Sequence, residues 1–107
     1  MFRYGFIMFI SKKKKKEFYL WNENFALKIA YKENIILTSN HWKVIYTLRF
    51  LYIKFNTTPN LRILINVLKK RYENINWDSI FLFNLFPKGS IRQASNIAGL
   101  PQKNICL

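Results

Sequence analysis

The chain has 107 residues, of which half are hydrophobic and one is a cysteine, and its formal net charge is +13. This length and composition predict one folded domain over 1–107 and argue against a disordered chain. A lone cysteine excludes an internal disulfide framework. The early apolar run, residues 4–10, is far shorter than the ~20 residues of a membrane span. Because a lysine block follows that run, it is not typical of a signal peptide either, and we expect a cytoplasmic protein.

The positive charge has two possible origins. It could attract nucleic acid or another anionic partner. The abundance of Lys, Ile, Asn, Phe and Tyr is also typical of A+T-rich codon usage, which would produce the charge without any such partner. We favour codon usage as the main origin and leave weak attraction to RNA or to an acidic partner open.

The N-terminal segment, residues 1–20, is rich in β-prone residues. Residues 2–10 and 18–20 predict two short strands, with the lysine block between them as a turn. The predicted fold class is therefore α+β and predominantly helical, with a short N-terminal β-hairpin or meander.

A helical body of about five helices is predicted over residues 21–98. The first helix covers residues 24–32, and one of Thr38, Ser39 and Asn40 caps the second. The second helix should bury Val44, Ile45, Leu48, Leu51, Tyr52 and Phe55 and turn Lys43, Arg49 and Lys54 to water. Thr58 and Pro59 should begin the third helix, which buries Leu61, Leu64, Ile65, Leu68 and Tyr72. A fourth, short and buried, covers residues 77–86.

The last helix has the clearest start and stop signals in the sequence. Pro87 and Gly89 break the chain, Ser90 is placed as an N-cap, and Gly99 and Pro101 end the helix. Residues 99–107 are then predicted to be a mobile arm. Its penultimate residue, Cys106, could lie roughly 25 Å from the body if the arm is extended. From its position alone, this thiol could be idle or could carry a chemical group between partners.

Several blocks together resemble a known family. They are His41-Trp42, FNTTP at residues 55–59, LFPKG at 85–89, IAGLP at 97–101 and the penultimate cysteine. Their order and spacing resemble the TusE/DsrC sulfur-carrier family over about four fifths of the chain. The resemblance implies that Cys106 is the catalytic residue, which carries sulfur as a persulfide.

The same resemblance distinguishes two branches. Family members that serve dissimilatory sulfite reductase have a second cysteine at the position of Ser95, so an intramolecular disulfide is impossible here. The TusE-type branch is therefore implied: a sulfurtransferase that relays sulfur toward 2-thiouridine in tRNA. The implied donor is TusD in a TusBCD complex, and the implied acceptor is an MnmA-type thiouridylase with its tRNA.

Other chemistry has weaker support. His41, the only histidine, is most simply structural, and His41 and Cys106 form no metal-ligand set. We predict no cofactor and no direct small-molecule substrate. Lys88, Arg92 and Lys103 could steer the arm toward an acidic partner, could favour the thiolate of Cys106, or could simply be solvated. The alternative function is a small basic helix-turn-helix nucleic-acid-binding module made by the second and third helices.

Overall fold

The computed structural model describes residues 18–101. After a helical segment at residues 18–20 it contains five helices, which we number from the N-terminal side. They are α1 (Glu23–Lys32), α2 (Ser39–Phe55), α3 (Leu61–Arg71), α4 (Ser79–Leu85) and α5 (Ser90–Ala98). Among these residues, no helix has the length and hydropathy needed to cross a bilayer.

The predicted α+β fold class is wrong, because the described part of the chain is entirely helical and contains no strand. Phe18, Tyr19 and Leu20 are helical where a second strand was expected. Phe18 is buried, and its ring packs against Tyr52 of α2. Tertiary packing thus overrides the local β-propensity of these aromatic residues. The other expected strand, residues 2–10, lies outside the described residues.

Local signals place most helix ends correctly. Of the three residues predicted as candidates, Thr38 is the N-cap of α2. Asn22 and Asp78 cap α1 and α4 through their side chains. The start of α3 was predicted two residues early. Asn60 is its N-cap, because the Asn60 side chain accepts a hydrogen bond from the backbone N–H of Ile63 at 2.9 Å.

The start of α5 is also shifted by one residue. Gly89 is its N-cap and Ser90 is the first helical residue, so the predicted capping role of Ser90 is wrong.

The core forms where α2 packs against α3 and α5, and α5 also packs against α1 and α4. The apolar stripe of α2 is buried as predicted except for Phe55, which is 57% exposed in the last turn. On α3, Leu64 and Leu68 are fully buried, and the other members of its stripe are partly buried. Trp77 and Phe86 are buried at the two ends of α4, although Ile80 and Phe83 within it face solvent. Helix α5 thus packs against α1, α2 and α4. Because the chain leaves the body at the end of α5, these contacts determine the position of that exit.

Candidate functional site

The C-terminal end of α5 is the point from which the chain continues toward Cys106. Gly99 ends the helix in the left-handed conformation, with φ +73°. The N–H of Leu100 then donates to the carbonyl of Ser95 at 3.1 Å, and the Leu100 and Pro101 side chains are buried. The predicted stop is confirmed, and it forms a fixed base for the residues that follow. Cys106 itself lies outside the described residues.

Arg49 of α2 holds this base. Its guanidinium donates to the carbonyl of Ala98 at 2.7 Å and to the carbonyl of Phe18 at 3.0 Å. The same group stacks against two rings, 3.9 Å from the centroid of Phe18 and 4.1 Å from that of Trp21. Burial lowers the pKa of Arg49 to about 10, so it stays charged near neutral pH. The prediction that Arg49 faces water is wrong.

Trp21 supplies a second support. Its indole N–H donates to the carbonyl of Ile97 at 2.8 Å, so two successive carbonyls at the end of α5 are bound by side chains from elsewhere in the chain. A methyl group on Gly99 would lie 2.5 Å from Cδ1 of Trp21. Glycine at this position therefore serves both the backbone conformation and the close approach of the indole.

The loop before α5 is tied to α1 through a buried amide. The Gln93 side chain accepts from the backbone N–H of Lys88 at 3.0 Å and donates to Glu33, just beyond α1, at 2.8 Å. Arg92 donates to the carbonyl of Lys88 at 3.1 Å. The Arg92 side chain thus braces the Pro87–Gly89 turn, and Lys88 contributes backbone groups while its side chain is exposed. The proposed steering role of these cations stays a prediction, and Lys103 lies outside the described residues.

An open groove of about 550 Å³ adjoins this base. Its walls come from α1, the end of α5 and the segment before α1, and they are mainly apolar: Leu20, Phe25, Ile29, Lys32, Glu33, Asn96, Gly99 and Leu100. The chain thus leaves the body beside an apolar surface that carries one charge of each sign.

Ser95 is the position at which the family resemblance implies a difference between two branches. It lies on α5, is only 4% exposed, and its hydroxyl has no hydrogen-bond partner among residues 18–101. A buried hydroxyl without a partner is unfavourable, whereas a thiol at the same place would be a small apolar group. The packing around Ser95 therefore suits a residue of cysteine size and low polarity.

His41 has a structural role, as predicted. Its Nδ1 accepts from the backbone N–H of Thr38 at 3.1 Å, and the other ring nitrogen lies 2.8 Å from the carbonyl of Leu85. Since Nδ1 is an acceptor, the proton is on Nε2, which donates to Leu85. Burial lowers the pKa of His41, and the bond to Leu85 only partly opposes this effect. His41 thus joins the start of α2 to the end of α4.

Sequence reasoning missed Arg49, Trp21, Gln93 and Glu33 as parts of this site. One signal was available for Arg49, because its helical neighbours Ile45 and Tyr52 both belong to the core. The carbonyls that it binds, at residues 18 and 98, could not be found from spacing in the sequence. Within residues 18–101, no group of three or more His, Cys, Asp or Glu side chains is placed to hold a metal ion.

The fold and the site together define a class of protein. A small helical body holds the start of a C-terminal segment, and that segment contains the only cysteine of the sequence. The family model described as "DsrC like protein" matches residues 13–107. The chain belongs to this DsrC-like family, as its motifs indicated.

Individual relatives of known name indicate which activity the family resemblance implies for this chain. The sulfurtransferase TusE of Buchnera aphidicola subsp. Acyrthosiphon pisum is 51% identical over 87 residues, which cover 81% of this chain and 76% of the relative. The sulfurtransferase TusE of Photorhabdus laumondii is 42% identical, with 81% and 78% covered. The oxidised γ-subunit of the dissimilatory sulfite reductase (DsrC) from Archaeoglobus fulgidus has a similar structure. Its TM-score is 0.74 at 33% identity, with 84% of this chain and 82% of that one covered.

These similarities support sulfurtransferase activity and a place in a sulfur relay with a role in tRNA thiolation. They agree with the function that the sequence motifs implied. They give no corresponding support to the alternative of a nucleic-acid-binding module as the main function.

Proposed function

We propose that Cys106 is the residue on which this sulfurtransferase carries sulfur. The main support is the way Arg49 and Trp21 hold the end of α5, so that the chain departs from a fixed point at Pro101. Five residues beyond Pro101 can span about 17 Å when extended, enough for the thiol to enter the pocket of a partner. We also propose that residues 1–107 form one domain, with residues 99–107 as its carrier arm.

The proposed reaction exchanges one sulfur–sulfur bond for another. The Cys106 thiolate attacks the outer sulfur of a cysteine persulfide on the donor. The bond between the two donor sulfurs breaks, the donor cysteine leaves as a thiolate, and Cys106 becomes a persulfide. The outer sulfur then passes to a thiol of the acceptor by the same exchange. No net oxidation or reduction occurs, so no redox partner is needed.

The proposed donor is the TusD subunit of a TusBCD-type complex, and the proposed acceptor is an MnmA-type thiouridylase with its tRNA. The product would be 2-thiouridine at the wobble position, and the relay would operate in the cytoplasm. The absence of a cysteine at Ser95 favours this route over one that needs an internal disulfide.

The test is intact-mass spectrometry after incubation with a cysteine desulfurase and its relay proteins. We expect the wild-type mass to increase by one sulfur atom, and a reductant to reverse the increase. Cys106→Ser should gain nothing. Ser95→Ala, which changes α5 but keeps the thiol, should be loaded normally and is the matched control.

Two outcomes would contradict the proposal. The first is an unmodified wild-type protein in a mixture where the upstream donor is itself persulfidated. The second is a reductant-sensitive gain of sulfur by Cys106→Ser.

A further inference from the structure

Helices α2 and α3 bring three cations together around two aromatic rings. Lys54 and Arg71 both approach the Phe50 ring, at 5.8 and 4.8 Å from its centroid. Lys43 and Arg71 both approach the Tyr72 ring, at 5.6 and 5.8 Å. We name these five residues, Lys43, Phe50, Lys54, Arg71 and Tyr72, the α2–α3 seam. The seam is accessible, since Lys54 and Arg71 are exposed and Phe50 is 44% exposed.

The two helices that form the seam contain no acidic residue. They contain seven cations: Lys43, Arg49, Lys54, Arg62, Lys69, Lys70 and Arg71. Arg49 is used inside the fold, which leaves six for the surface. The carboxylates of the described chain lie elsewhere, two at the ends of α1 and two after α3. Like charges held close together repel each other, and an anionic ligand would remove that cost.

We propose that the α2–α3 seam is a binding surface for RNA, and specifically for the tRNA that receives the sulfur. The choice of tRNA as the bound RNA rests on the proposed function. The inference that the seam binds RNA rests only on the cations and rings of the surface. The six surface cations are spread over both helices, and the longer one, α2, is roughly 25 Å long, so they fit a linear polyanion better than a local acidic patch on a protein. Half-exposed rings beside guanidinium and ammonium groups are the usual surface for unpaired bases and their phosphates.

The placement of the seam cations is a feature that codon usage does not explain. Codon bias raises the number of lysines but does not direct them to aromatic rings on one pair of helices. In the proposed complex, α2 and α3 hold the tRNA while the chain beyond α5 delivers sulfur.

The experiment measures binding of a fluorescently labelled tRNA transcript by anisotropy, over a series of salt concentrations. The test variant is Lys54→Gln with Arg71→Gln. The matched control is Lys28→Gln with Lys32→Gln, which removes the same charge from exposed positions on α1. We expect the seam variant to bind about tenfold or more weakly and the slope of log K against log salt to decrease by about 1.5. The control should change much less.

Three results would overturn the inference: no binding by the wild type, equal weakening in the control, or unchanged tRNA binding in the seam variant. In the third case, weaker binding of the seam variant to the thiouridylase alone would assign the seam to a protein partner. Loading of Cys106, measured on the same variants, separates the two proposals. A seam variant that loads normally but loses tRNA binding supports the seam, and failure of the wild type to load contradicts only the carrier function.

Discussion

Gly99 shows how much a single residue contributes to the candidate site. Its φ of +73° is unfavourable for any residue with a side chain, and Trp21 occupies the space where a Cβ would lie. We predict that Gly99→Ala lowers the free energy of unfolding by about 2–4 kcal/mol, from backbone strain and from displacement of the indole and its hydrogen bond. Urea unfolding measures this loss.

The control for that prediction is Gly99→Ala in a Trp21→Ala background, which keeps the backbone strain at Gly99 and removes the indole that a Cβ would meet. In that background Gly99→Ala should cost only the backbone contribution. An equal loss in both backgrounds would show that the contact between Gly99 and Trp21 does not contribute to stability.

At the scale of the element, His41 makes the junction of α2 and α4 sensitive to pH. Its pKa is lowered below 6.5 in the folded protein, mainly by burial, so the unfolded chain binds a proton more readily. Its contribution to stability is therefore complete above pH 6.5 and is lost as the pH falls through the lower pKa of the folded state. Protonation also removes the acceptor that Thr38 uses at the start of α2.

We predict that the free energy of unfolding decreases as the pH is lowered below 6.5, and that His41→Gln reduces this dependence. Glutamine can accept the same capping bond at the third helical position but does not titrate. Urea unfolding across this pH range tests the prediction. An identical pH profile for wild type and His41→Gln would show that another group is responsible.

At the scale of the whole molecule, Arg49 joins three distant parts of the chain. It lies on α2, binds carbonyls of the segment before α1 and of the end of α5, and stacks on Phe18 and Trp21. Lysine keeps the charge but cannot bridge two carbonyls with one planar group. We predict that Arg49→Lys lowers the free energy of unfolding by about 1–3 kcal/mol. It should also slow sulfur transfer to the acceptor by loosening the base of the arm.

Sulfur transfer is measured as thiolation of tRNA after Cys106 has been loaded by inorganic polysulfide. Loading by this small reagent should be unchanged in Arg49→Lys, because the reaction at the thiol needs no fixed base. Lys28→Arg, an exchange between the same two residue types at an exposed position on α1, is the control. Wild-type stability and transfer in Arg49→Lys would contradict a positioning role for Arg49.

Much of the helical body could be predicted from the sequence because caps and breaks act within a few residues. Thr38, Gly99 and Pro101 each act on neighbouring backbone, and the buried stripe of α2 follows helical periodicity. The family could also be identified from short motifs in a fixed order. These motifs predicted the family and the sulfurtransferase activity. They also indicated Cys106 as the residue that we propose carries the sulfur.

The tertiary structure decided the features that depend on residues far apart in the chain. Phe18 is helical, against its local β-propensity, because it packs on α2 and its carbonyl accepts from Arg49. Arg49, which was predicted to face water, is drawn inward by carbonyls at residues 18 and 98. Local sequence determines what each segment can form, whereas partners across the fold determine which side chains are buried. For this reason only the structure could show what holds the base of the proposed carrier arm.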